Sequence, residues 1–203
     1  AVKVQLIEDQ EEQYLKEIIT LKFVNYVSFP RFIYKYQVKN KLYIILEKIE
    51  GADLSKVISS YYESKNNKKK IVDLNDLIKL KFSLDMADSI RFIHEINIIH
   101  RDIKPSNFLF DSNSMSVKLT DFGISRFNKM TTQYTNRKGT FQYFSPEFVE
   151  FDEQIDNDDE NQYENYVAVN KKCDIWQLGL VLNELFTGDY PWKHNNVNKD
   201  NPN

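Results

Sequence analysis

The sequence predicts an α+β fold, and three observations carry that reading. Residues 1–7 alternate with the period of a strand, 32–38 alternates bulky aromatics and 42–49 reads as a buried strand, with a helical spacing over 8–23 between the first strand and the other two. From Gly51 onward the apolar residues mostly recur at helical spacing. The 203 residues are 41% hydrophobic and 14% aromatic, enough to bury the core of one ordinary domain or of two small lobes.

Each element has its own signal. Residues 1–7 form a first strand. Leu15, Ile18, Ile19 and Leu21 set the helical spacing that follows, and Phe29-Pro30 stops it. Phe32 to Val38 alternates bulky aromatics, and Asn40-Lys41 turns the chain into a buried strand over 42–49. Asp53 can cap a short helix reaching about Ser60, and the charged, Asn-rich run 65–70 reads as a solvated loop. Asp73 or Asn75 caps a long amphipathic helix that ends near His94. In it Leu77, Leu80, Leu84 and Ala87 form one apolar stripe, with Phe82, Met86, Ile90 and Ile93 beside it. Short apolar segments over 98–119 are joined by polar turns, and 127–138 is a polar, Thr-rich loop. The acidic run at about 151–166 reads as an insert with a solvated face. Residues 174–185 form an apolar helix that Thr187-Gly188-Asp189 stops.

Composition excludes several classes. Against 30 acidic residues there are 27 basic ones, a net charge of −3, so the basic excess of a nucleic-acid-binding surface is missing. No apolar run is long enough to cross a bilayer, and the start, Ala-Val-Lys-Val, lacks the pattern of a signal peptide. Cys173 is the single cysteine, which forbids an intrachain disulfide and fits an intracellular, cytoplasmic setting. One cysteine and three histidines argue against structural zinc.

Two segments carry chemistry. His100-Arg101-Asp102-Ile103-Lys104-Pro105-Ser106-Asn107 places a carboxylate, an ammonium and a carboxamide in one short stretch, and Asp121-Phe122-Gly123 follows. Phosphoryl transfer from ATP needs this inventory. A carboxylate orients the attacking hydroxyl and takes its proton. A cation neutralises charge building on the transferred group. Mg2+ takes hard oxygen ligands. Asp102, Lys104, Asn107 and Asp121 can fill those roles, and Gly123 leaves the backbone room to place Asp121.

At these residues the sequence resembles the eukaryotic protein kinase family. The resemblance runs from residue 1 to about Trp192 and includes two further segments: Gly139 to Glu147, with Ser145 where Ala is common, and Asp174 to Gly179. It implies a two-lobe, protein-kinase-like α+β fold. Residues 1–49 would be a partial, β-rich small lobe. Residues 50–203 would be a partial, mainly helical large lobe with catalytic loop, activation segment and acidic insert. Lys3 would hold the α- and β-phosphates, with Glu17 as its partner and Glu11 and Glu12 as competitors. Ala1 and Leu109 would sandwich the adenine, Leu46 would stand behind it, the backbone at Glu47 and Ile49 would bond it, and Asp53 would bind the ribose. His100 would stack with Phe122, Leu21 and one of Tyr34 or Tyr36 to connect the lobes, and Asp174 would accept bonds from the catalytic loop.

The resemblance further implies an ATP- and Mg2+-dependent serine/threonine kinase acting on a protein substrate. Lys104 and Thr140, which would bond Asp102 and Lys104, point to Ser/Thr rather than Tyr. Arg101 beside Asp102 implies control by an upstream activating kinase, with Thr131, Thr132, Tyr134 and Thr135 as candidate sites. Two alternatives stand beside this reading: a catalytically weak pseudokinase serving as an ATP-binding scaffold, and a small-molecule phosphotransferase of related fold. The first two strands of the small lobe and the last helices of the large one are expected to lie outside the 203 residues, so the isolated segment is expected to be inactive.

Overall fold

The structure is a computed structural model that describes residues 1–6, 11–63, 70–127, 133–135, 140–146 and 167–191. It opens with strand β1 (Val2–Leu6), helix α1 (Glu11–Phe23), and strands β2 (Phe32–Val38) and β3 (Lys41–Leu46). These strands form an antiparallel sheet in the order β1-β3-β2, with Lys3 opposite Ile44. Strand β3 stops at Leu46, three residues short of the stretch read from sequence, because the backbone N–H of Glu47 turns to the carbonyl of Arg31 at 2.8 Å.

The larger part begins with β4 (Gly51–Asp53) and helix α2 (Leu54–Tyr62). Asp53 caps α2, its carboxylate accepting the N–H of Lys56 at 3.1 Å. Helix α3 (Asp76–Glu95) is capped by Asn75, which settles the choice left open with Asp73. Short strands follow: β5 (Ile98–Ile99), β6 (Phe108–Asp111), β7 (Ser116–Leu119) and β8 (Arg126–Phe127). They form a β4-β6-β7 sheet and a β5-β8 pair. A single 3-10 turn, Pro105–Asn107, sits before β6. Strands β9 (Gln133–Thr135) and β10 (Val167–Val169) pair antiparallel. Helix α4 (Lys171–Thr187) closes the described chain. The acidic insert, Thr131, Thr132, Gly139 and Glu147 lie outside the described residues.

One buried cluster joins the two parts. Ile18, Leu21, Val24, Phe29 and Ile44 contribute from the first part, and Phe82, Met86, Ile103, Phe122 and Val181 from the second. Helix α3 turns Phe82, Met86, Ile90 and Ile93 into this cluster and leaves Leu77 78% and Leu84 63% exposed. Of the two apolar stripes read from sequence, the second therefore makes the core contact. Among the described residues, no helix is long and apolar enough to cross a membrane.

Candidate active site

Lys3 begins as a matter of strand alternation. Val2 and Val4 are exposed on one face of β1, so Lys3 projects to the other, toward α1. There its Nζ lies 2.7 Å from Glu17 Oε1 and 2.8 Å from Asp121 Oδ1. Glu17 is held by the buried face of α1 and is 3% exposed. The side chains of Glu11 and Glu12 are not described. Burial opposes the charge on Lys3, yet the Glu17 and Asp121 carboxylates outweigh it and hold the ammonium above its ordinary value. Burial also works against the Asp121 carboxylate, and the bond from Lys3 overcomes it, holding that group below its ordinary value. A Cβ on Gly123 would come 3.3 Å from Asp121 Oδ1 and 3.6 Å from Lys3 Nζ, so a larger residue there would press on the Asp121 carboxylate.

The catalytic-loop residues form a second group. Lys104 Nζ lies 2.7 Å from Asp102 Oδ2 and donates to Thr140 Oγ1 at 2.7 Å. Thr140 donates to Asp102 Oδ1 twice, from its hydroxyl at 2.9 Å and from its backbone N–H at 3.1 Å. Asn107 spends both amide N–H donors on Asp102, at 2.7 Å to the carbonyl and 3.0 Å to Oδ2. That orientation leaves the Asn107 amide oxygen turned away from Asp102 as an acceptor. The two groups are tied through Thr120, whose N–H donates to the Asn107 carbonyl at 2.9 Å.

The loop itself is held from behind. Asp174, fully buried in the first turn of α4, accepts the N–H of His100 at 2.9 Å and of Arg101 at 2.8 Å. His94 Nε2 bonds the same carboxylate at 2.8 Å. Gln177, one turn on, accepts the N–H of Ile103 at 3.0 Å and donates to the Arg101 carbonyl at 3.2 Å. The sequence reading gave Gln177 no role. The signal that could have found it is a carboxamide on the apolar stripe of α4. His100 donates from Nε2 to the Thr120 carbonyl at 3.1 Å and accepts the Asp102 N–H at Nδ1 at 3.3 Å. Burial holds its pKa below the ordinary value despite nearby Asp174, in keeping with this neutral tautomer. Arg101 and Asp121 both adopt left-handed backbone, with φ of 74° and 65°. Strained non-glycine residues of this kind concentrate at functional sites.

The stack on His100 differs in one partner from the reading above. Phe122 packs 5.1 Å from His100 and 5.8 Å from Phe29. Tyr34 and Tyr36 are 61% and 41% exposed, and Tyr36 stacks on Tyr43 instead. Strand β2 is exposed from Ile33 to Val38, and its register against β3 shifts between Phe32 and Tyr34, which sets Phe32 apart from the two tyrosines. Phe32 is the β2 side chain that packs against the core cluster.

The remaining predicted residues lie at the start of the chain, in and just past β3, at the cap of α2 and in β6. Ala1 exchanges backbone bonds with Leu46 at 2.7 and 2.9 Å. Glu47 accepts from the Arg31 N–H at 3.1 Å and from Lys118 at 3.3 Å, and the Arg31 bond leads in holding its pKa below the ordinary value. Its backbone N–H is already committed to Arg31, which leaves its carbonyl for any further partner. Ile49 is half-buried just past β3, and Leu109, also half-buried, sits in β6 opposite Asp53. The Asp53 carboxylate is engaged by Lys56 Nζ at 2.8 Å and by the Ser55 hydroxyl.

The family described as Protein kinase domain matches residues 1–203. Serine/threonine-protein kinase STY46 of Arabidopsis thaliana is 29% identical over 190 residues, covering 94% of this chain and 29% of its own length. Serine/threonine-protein kinase Nek5 of Homo sapiens is 32% identical over 189 residues, covering 93% of this chain and 23% of its own. The SNF-related serine/threonine-protein kinase of Rattus norvegicus is 30% identical over 181 residues, 89% of this chain and 21% of its own length. The chain thus spans less than a third of the length of these relatives. With the family matched from the first residue to the last, this chain belongs to the protein kinase domain family.

Proposed function

We propose that the protein to which this chain belongs is an ATP-dependent protein serine/threonine kinase. The observation that carries the reading is the closed set Lys104–Asp102–Thr140, with each contact between 2.7 and 3.1 Å. Asp102 would take the proton of the attacking hydroxyl, and Lys104 would face the transferred phosphoryl group. Thr140 fixes the orientation of both. Three of the relatives carry serine/threonine-protein kinase in their names, which supports the hydroxyl class.

Lys3, held by Glu17, is placed by this reading on the α- and β-phosphates. A paired lysine is preorganised where a free one would sample many rotamers. Ala1 and Leu109 would enclose the adenine, with Leu46 behind it. The carbonyl of Glu47 and the backbone of Ile49 would bond the base, and Asp53 the ribose.

The residues present fit Mg2+. Asp121 offers a carboxylate that already attracts a cation, the Lys3 ammonium, and Asn107 offers the amide oxygen that its own bonding leaves free of Asp102. Among the described residues there is no group of three or more His, Cys, Asp or Glu that could cage a metal alone. That suits a cation that keeps water and phosphate oxygens among its ligands. When bound, the metal supplies neutralisation of phosphate charge. Asn107 and Asp121 are the residues that would hold it.

An intracellular protein substrate, and an activating kinase acting near Tyr134 and Thr135 on β9, complete the reading. No observation favours the scaffold alternative, since Lys3, Asp102, Asn107 and Asp121 all keep their chemistry. The test is phosphate transfer by the full-length protein from labelled ATP to a mixed peptide library, followed by identification of the modified amino acids. Label on serine and threonine is expected. Label on tyrosine alone, or none under any Mg2+ concentration, would contradict the proposal.

A further inference from the structure

Asp102 sits between two peptide groups that one side chain holds. Gln177 Oε1 accepts the Ile103 N–H at 3.0 Å, and Gln177 Nε2 donates to the Arg101 carbonyl at 3.2 Å. The carboxamide therefore grips the backbone immediately before and immediately after Asp102. Gln177 is 3% exposed, so neither bond competes with bulk water. Its position follows from the helix: Gln177 lies three residues after Asp174 and shares its face of α4.

The two α4 side chains divide the work. Asp174 holds the N–H groups of His100 and Arg101, upstream of Asp102. A carboxylate can only accept, so it cannot hold a carbonyl. The Arg101 carbonyl needs a donor and the Ile103 N–H needs an acceptor. A carboxamide supplies both from one group. The need is real, because Arg101 is held at a φ of 74°, a conformation that a non-glycine residue leaves unless its surroundings fix it.

We infer that Gln177 is a positioning residue for Asp102: it fixes the backbone on both sides of the proposed base and so sets where the carboxylate stands relative to Lys104 and Thr140. The inference rests on the proposed role of Asp102 as the base. It assigns Gln177 no contact with substrate or nucleotide. Displacing a reacting group by about an ångström can lower turnover by roughly a hundredfold without loss of binding. A change at Gln177 should accordingly lower kcat and spare the KM for ATP.

The experiment uses the full-length protein, with a mixed Ser/Thr peptide library as acceptor, and four forms: wild type, Gln177→Met, Asp102→Asn and the double variant. Gln177→Met keeps the length of the side chain and removes both bonds. The expected result is a fall in kcat of about ten- to a hundredfold, with the KM for ATP and the affinity for a non-hydrolysable ATP analogue within about twofold of wild type. In the Asp102→Asn background the same change should cost nothing further, because its effect acts through that carboxylate. An unchanged kcat in Gln177→Met would overturn the inference. So would a loss shared equally by KM and analogue affinity, or an equal loss in both backgrounds. Should Gln177→Met lose cooperative melting, Gln177→Glu, which keeps the size and the acceptor and loses the donor, is read in its place by the same criteria. Undiminished turnover in Asp102→Asn alone would overturn the role of Asp102 as base, an outcome separate from any result at Gln177.

Discussion

At the scale of single residues, the site depends on charges that hold one another. Lys3 is about one-third exposed and would wander without Glu17, which is buried 2.7 Å away. Glu17→Gln should lower kcat/KM for ATP in the full-length protein by roughly ten- to a hundredfold, chiefly through KM, as the ammonium keeps only Asp121 and is drawn toward it. Steady-state kinetics at varied ATP checks this, and an unchanged KM would count against the pairing. His100 gives a second expectation. Its folded-state pKa lies below the ordinary 6.5, so as the pH falls below that value the unfolded chain binds a proton that the folded chain refuses. Stability should therefore rise with pH between the lowered folded value and 6.5, by at most about 1.4 kcal/mol per pH unit. Melting temperatures of wild type and His100→Phe across that window test it, since the variant should lack this part of the slope. Identical slopes would contradict the buried neutral ring. The residue types of Asp102, Lys104, Asn107 and Asp121 stood out in the sequence because phosphoryl transfer needs those types close together, and Lys3 and Glu17 through the resemblance. Gln177 did not. A carboxamide in an apolar helix announces no chemistry until the groups it bonds, in a loop 74 and 76 residues away, are seen.

At the scale of elements, caps and turns were readable and faces were not. Asp53 and Gly188 announced the start of α2 and the end of α4, since a capping carboxylate and a left-handed glycine backbone are local signals. Gly188 is the more constrained, with a φ of 80° and a position where a Cβ would come 2.4 Å from the Tyr62 ring. Gly188→Ala should destabilise the fold by about 2–4 kcal/mol, combining left-handed strain with overpacking. Denaturant unfolding measures it, and a loss below about 1 kcal/mol would mean that Tyr62 moves aside freely. The faces of α3 show the opposite case. Two apolar stripes run along it, and period alone cannot say which one meets a partner. The choice is made by contacts from β5, β7 and α4, which no local signal encodes. Strand β4 escaped the reading for the same reason: three residues carry no period, and its pairing with β6 defines it.

At the scale of the whole molecule, the fold brings together groups that the chain keeps far apart. Lys3 and Asp121 are separated by 118 residues and meet at 2.8 Å. They meet because Ile18, Leu21 and Ile44 from the first part share one buried cluster with Ile103, Phe108 and Phe122 from the second. The α+β class was legible, since it needs only the order of periodic segments. The path of the core was not, as the exposure of Tyr34 and Tyr36 and the use of Phe29 against Phe122 illustrate. In the proposed function Asp121 serves metal-assisted phosphate transfer, while the fold stands without it. The most direct measurement is Mg2+-dependent ATP turnover by full-length Asp121→Asn, beside its melting curve. Loss of Mg2+-dependent turnover by at least about a hundredfold, with cooperative melting retained, is the predicted result. Turnover equal to wild type in a folded variant would contradict it.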